Sequence, residues 1–241
     1  ANYTKDLIQD QLYVGSYLLL SFLSFMPGVF LFFFKNVENI QEDSLKEGNI
    51  RNLKSIVLQP RFLQAITAAA FAYAVMSFLM TATPLSMHVM ENMSLKETGL
   101  VLQFHVVAMF LPSLITGNLI KKYGHSTIIY GGVLFFFITV LISLFEQTYL
   151  NYMLSLIFLG LGWNFLFISG TSLVVLTYNK EEKFKVQGIN DLIVFSTMAL
   201  ASLSAGILLN SIGWKMMNII CIPFLILIIL VSFVADKKSA S

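Results

Sequence analysis

Residues 97–145 read ETGLVLQFHVVAMFLPSLITGNLIKKYGHSTIIYGGVLFFFITVLISLF. Two apolar runs, 97–120 and 127–145, flank a short polar turn, KKYGHS. A bilayer core of about 30 Å takes about 20 helical residues, and each run has that length. Neither run alternates as a barrel strand does, and in lipid a backbone group has no partner outside a helix or a closed barrel. The stretch therefore predicts two membrane-crossing helices joined by a tight basic turn.

The same reading extends outward to 12–34, 62–89, 149–177, 187–210 and 214–235, which makes seven predicted spans. Composition agrees. The chain is 57% hydrophobic and 12% charged, where a soluble domain carries about 25% charged residues. Its mean hydropathy is +0.78. The fold class expected is all-α: a polytopic helical bundle in the membrane. Pro27, Pro84, Pro112 and Pro223 fall inside spans, where neighbouring helices can re-satisfy the carbonyls they free.

The connections are short except for 35–60, a polar, mixed-charge segment with Gly48 inside and Pro60 at its end, which is the natural internal boundary. Of the fifteen Lys and Arg, twelve fall in 35–61, 121–122, 180–185 and 237–238, leaving Lys5, Lys96 and Lys215 on the other side. Positive charge stays inside, so the first group is expected in the cytoplasm together with the C-terminus. The net charge of +2 suggests no nucleic-acid partner, and the lone Cys221 in an apolar run excludes an intrachain disulfide. The chain opens at Ala1 without a basic leader, and the run Leu12–Phe34 is too long for a signal peptide, so a truncated N-terminus is expected.

Gly117-Asn118-Leu119-Ile120-Lys121-Lys122-Tyr123-Gly124-His125-Ser126 resembles the cytoplasmic signature of major facilitator transporters. In that family it lies between the second and third helices of each six-helix half, which is its position here counted from 35–60. Asn118 or Ile120 stands where the family pattern usually has an acidic residue. The resemblance implies a piece of a twelve-helix fold. Residues 1–34 would hold an outer segment and the last helix of the N-terminal bundle, 35–60 the central cytoplasmic loop, and 61–241 the six-helix C-terminal bundle with its tail. It further implies a missing N-terminal bundle as partner and a bacterial inner-membrane home, with Gly117, Lys121, Lys122 and Gly124 as a conformational loop. The phrases at 76–90, 103–117, 159–171 and 186–206 resemble a bacterial branch that includes riboflavin importers. That points to a small flat heteroaromatic solute, for which Tyr73, Gln103, Trp163 and Asn164 are suited.

Several span residues carry possible chemistry. Tyr73, Ser77 and Thr81 recur every four residues, with Thr83 and Pro84 following. A polar stripe of this kind faces a bundle interior or a water-filled path, unless its hydroxyls bond back to their own helix. His105 lies mid-span as a solute contact or an interhelical hydrogen bond. In Gly160-Leu161-Gly162-Trp163-Asn164 the indole can stack on a ring and the amide can read its edge, while the glycines allow close helix contact. Gln187, Asn190 and Asp191 sit together in the sixth span; Asp191 is either an ion-coupling carboxylate or a structural cap.

Two other classes fit the sequence less well. A seven-helix receptor or photoreceptor suits the count, yet 216–235 contains no lysine to hold a retinal. An intramembrane enzyme needs clustered His and carboxylates, and one Asp with one His in the spans supply neither. No cofactor or metal is expected.

Overall fold

The computed structural model describes residues 14–33 and 51–240. The expected outer segment with Lys5, the last residue of the predicted span 12–34, and residues 35–50 of the polar connection lie outside that range. Two compact units are present, one containing residues 1–49 and the other 50–241. In the first, α1 (Val14–Phe33) is a 20-residue helix with Pro27 inside, about 30 Å long and so matched to a bilayer. Ser24 Oγ donates back to Leu20 O at 2.8 Å, which spends its hydroxyl within the helix.

In the second unit a one-turn α2 (Leu53–Val57) precedes α3 (Pro60–Pro84). Pro60 opens α3 because its missing N–H would have had no partner there anyway. Ala65, Ala68, Ala69 and Ala72 are fully buried along it, and these small side chains let neighbours close in on α3 from several sides. At the far end Pro84 cannot donate to the preceding turn, and the chain continues into a wider π-helical turn, Leu85–Met90.

Ser94 and Glu97 then form a capping box that starts α4 (Leu95–Phe110). The predicted span 97–120 is two helices: Pro112 interrupts it, and α5 (Ser113–Tyr123) follows. Gly124, at φ 83° and ψ 159°, turns the chain into α6 (His125–Ser143), a conformation essentially restricted to glycine. Beyond it run α7 (Tyr149–Val175), α8 (Lys183–Ile220) and α9 (Ile222–Ala240).

Six described helical stretches are long and apolar enough to cross a membrane, and the last runs Lys180–Ser239. At 60 residues it is far longer than one crossing requires. It breaks at Gly213, where φ is 75° and ψ 169°. Side-chain partners show the reversal. Glu182 binds Arg51 and Asp236 binds Arg61, both beside the start of α3. Trp214 instead packs on Tyr152, whose hydroxyl meets Ser86 beyond the opposite end of α3. The stretch thus goes across and back, matching the predicted spans 187–210 and 214–235.

Within this unit α3 packs on α7, α8 and α9, and α7 packs on α4 and α6 as well. The chain is an all-α integral membrane protein.

Candidate functional site

The candidate residues lie on α3, α4, α7 and α8, and glycine brings α4 and α7 into contact. A Cβ added at Gly160 would meet His105 O at 2.7 Å and Met109 N at 3.0 Å. One added at Gly162 would strike the Phe136 ring. Bare backbone at these positions lets α4 and α6 press against α7, as the sequence suggests.

Trp163, between those contacts, is 4% exposed and anchors an aromatic cluster. Its ring stacks on Phe167 (centroids 5.0 Å, 13°) and takes Tyr73 edge-on at 5.2 Å and Phe110 edge-on at 5.8 Å. Tyr73 also meets Phe167 at 4.8 Å and Phe195 at 6.0 Å. Phe110 and Phe195 form the open rim, 57% and 50% exposed. Four helices therefore converge on one patch of π-faces. The indole Nε1 has no hydrogen-bond partner among the described residues.

The polar candidates divide. Thr81 Oγ1 lies 3.0 Å from Ser202 Oγ of α8, and Ser77 is half-buried one turn before it. Gln103 is exposed on α4. Gln187 Nε2 donates to Tyr178 Oη at 2.7 Å, and Asn190 Nδ2 donates to exposed Asp191 at 3.0 Å. The other three are spent inside the bundle. Thr83 Oγ1 donates to its own Leu79 O at 2.8 Å. His105, fully buried, holds Leu156 O through Nδ1 at 2.7 Å while its Nε2 lacks a partner among the described residues. Asn164 donates to Met109 O and accepts from Thr116 Oγ1, each at 2.6 Å. With Ser113 Oγ on Phe110 O, it occupies carbonyls beside the break that Pro112 makes.

A cavity of about 490 Å³ between α3, α8 and α9 contains none of these candidates. Its Thr197 and Ser204 hydroxyls bond back to α8, leaving an apolar groove with nothing to orient a polar solute.

At the basic end Lys121 and Lys122 are exposed, with Lys122 Nζ 4.9 Å over the Tyr123 ring. A Cβ at Gly117 would meet nothing within 4 Å among the described residues. Two clusters here were not singled out in the sequence. Arg61 donates to Asp236 at 2.7 Å, to Gln64 and to Ser126, while Ser126 and Tyr130 also donate to Asp236, joining α3, α6 and α9. Arg51 forks onto Glu182 at 2.6 and 3.0 Å. Glu182, ahead of the predicted span 187–210, is held down to about 2 by the Arg51 side chain and then by the Asn179 N–H. The sequence signal was opposite charges at span ends; the phenylalanines of the aromatic cluster gave none, being three among 22.

Residues 65–241 match the Major Facilitator Superfamily. The chain is 36% identical over 227 residues to the riboflavin transporter RfnT of Brucella anthropi, covering 94% of this chain and 57% of that protein. It is 26% identical over 217 residues to the uncharacterized MFS-type transporter YdeG of Bacillus subtilis, covering 86% and 50%. To YddS of the same organism, also an uncharacterized MFS-type transporter, it is 30% identical over 151 residues, covering 61% and 34%. The chain spans about half the length of the first two relatives.

Proposed function

The chain belongs to the Major Facilitator Superfamily, and from that premise we propose that it is the C-terminal part of a secondary transporter that moves a flat heteroaromatic solute, such as riboflavin, by alternating access. The observation that carries the substrate class is the aromatic patch of Tyr73, Trp163 and Phe167 with Phe110 and Phe195 at its rim. Offset and edge contacts to a planar ring are worth about 0.5–1.5 kcal/mol per pair beyond area burial. The name of the Brucella relative supports the same class. Relatives of this kind give no support to a receptor.

In this reading Tyr73, Ser77, Thr81, Gln103, Trp163, Gln187 and Asn190 touch the solute, and Thr83, His105 and Asn164 shape the walls behind them. Asp191 is the ion-coupling carboxylate. A six-helix bundle formed by the preceding part of the protein covers the open face, Gly117 receives it, and the loop through Lys121, Lys122 and Gly124 rearranges as the halves rock. In this reading the starts of α3 and α8 and the C-terminus lie in the cytoplasm of a bacterium, with the spans in its inner membrane, and the bias of twelve basic residues to that side supports it.

The test is a thermal-shift and uptake series on the full-length protein with flavins, nucleosides, sugars and amino acids, since a bound solute stabilises the fold by mass action. Flavins are expected to raise the melting point and to be taken up by proteoliposomes, whereas the 241-residue chain alone carries no flux. Stabilisation by sugars and not by flavins would reject the aromatic class; flux through the short chain would reject the two-bundle arrangement.

A further inference from the structure

The Arg51–Glu182 clasp does more than close a charge pair. Glu182 is 2% exposed, whereas Arg51 is 39% exposed. A buried carboxylate is costly unless its oxygens are filled, and here they are. Oε1 accepts from the Arg51 backbone N–H and from Nε, each at 3.0 Å, and Oε2 accepts from Arg51 Nη2 and from the Asn179 N–H at 2.9 Å. Arg51 Nη2 also reaches Thr177 O at 3.0 Å, and Gln59 Nε2 reaches the same carbonyl at 3.3 Å. The turn 177–182 is therefore pinned at both ends by one side chain, 126 positions from Thr177 and 131 from Glu182 in sequence.

Between those pins sits Tyr178, whose hydroxyl accepts from Gln187 Nε2. Immediately after Glu182 comes α8, on which Asn190 lies eight residues, about 12 Å, further along. We infer that Arg51 and Glu182 are positioning residues for the solute site: they fix the turn that orients Gln187 through Tyr178 and set the register of the first turns of α8. Removing Arg51 leaves Glu182 as a buried charge without a cation, so the turn must remodel toward water and carries Tyr178 with it. The effect on the solute rests on the transport reading above; the effect on the turn does not.

The experiment uses the full-length protein with Arg51→Ala, Arg51→Lys, Glu182→Gln and Tyr178→Phe. Hydrogen exchange over 177–190 is expected to quicken about tenfold or more in Arg51→Ala and Glu182→Gln while 125–143 stays protected. Riboflavin uptake in the same two variants is expected to show a KM raised about fivefold, with the maximal rate per folded protein within about twofold of wild type. Arg51→Lys, which keeps the charge and loses the fork, is expected to recover part of both. Tyr178→Phe should reproduce the KM change without the exchange change. Unaltered exchange in Glu182→Gln, or loosening spread evenly over all helices, overturns the clasp as a local device. Altered exchange with an unchanged KM overturns its role in positioning. If the wild type moves no riboflavin, the proposed substrate fails, and the exchange arm still judges the clasp.

Discussion

α7 and α8 are both long and apolar, and both carry glycines, yet those glycines mean different things. In α7, Gly160, Gly162 and Gly170 sit against the backbones of neighbours; a Cβ on Gly170 would meet Ala65 O at 2.8 Å and Ala69 N at 2.9 Å. In α8, a Cβ on Gly188 meets nothing within 4 Å, and one on Gly206 meets only the flexible end of Leu85 at 3.8 Å. α7 is wedged between α3, α4 and α6, while α8 keeps an exposed face bearing Leu192, Phe195, Leu200 and Leu203. Composition does not separate these helices; what stands opposite each residue does.

The sharpest way to break the contrast is Gly160→Ala. The added methyl meets backbone that cannot swing aside, so a loss of about 2–3 kcal/mol is expected in equilibrium unfolding in detergent. A neutral result would mean that the α4–α7 contact is looser than described. Next come the aromatic residues. Trp163→Leu removes the anchor that touches three rings and is expected to weaken flavin binding to the full-length protein about tenfold, read by titration calorimetry. Phe195→Leu takes one rim contact away from Tyr73 and is expected to cost about threefold. Equal losses from both would dissolve the distinction between buried anchor and open rim.

At the junction between the two helices, acid supplies a subtler probe. Glu182 has its folded pKa lowered to about 2, below the roughly 4.3 of a free glutamate. Its contribution is thus complete above about 4.3 and fades as pH falls toward 2. The 177–182 turn should keep its exchange protection at pH 5 and lose it progressively as pH falls from about 4 toward 2, whereas in Glu182→Gln that dependence disappears. The smallest effect is expected from Gly188→Ala. With open space around the Cβ and a helix propensity gain of up to about 1 kcal/mol, stability should hold or rise slightly.

Much of this architecture was legible from residue order alone. A bilayer imposes one length on every crossing, so the runs stood out, and glycines at 160 and 162 beside a tryptophan announced close packing. The turn at Gly124 was visible for a similar reason, since a basic pair followed by glycine ends a helix. Less could be read where the outcome depends on a partner remote in sequence. Thr83 and Ser77 look alike on paper, but one bonds to its own helix and the other lies half-buried on the Tyr73 stripe. Asn164 resembles a solute contact until Met109 O and Thr116 are found beside it. Glu182 looks like a solvated loop charge, because nothing near it in sequence names Arg51. Pro112 hid a break in what hydropathy draws as one continuous span, for the residues around it are uniformly apolar.

The reversal at Gly213 has a practical corollary. A hairpin that pivots on one residue offers a protease no slack to bite and an epitope tag no room to enter. Insertions at that tip have to unravel a crossing on one side or the other, so reporters are better attached near the exposed lysines at 237–238.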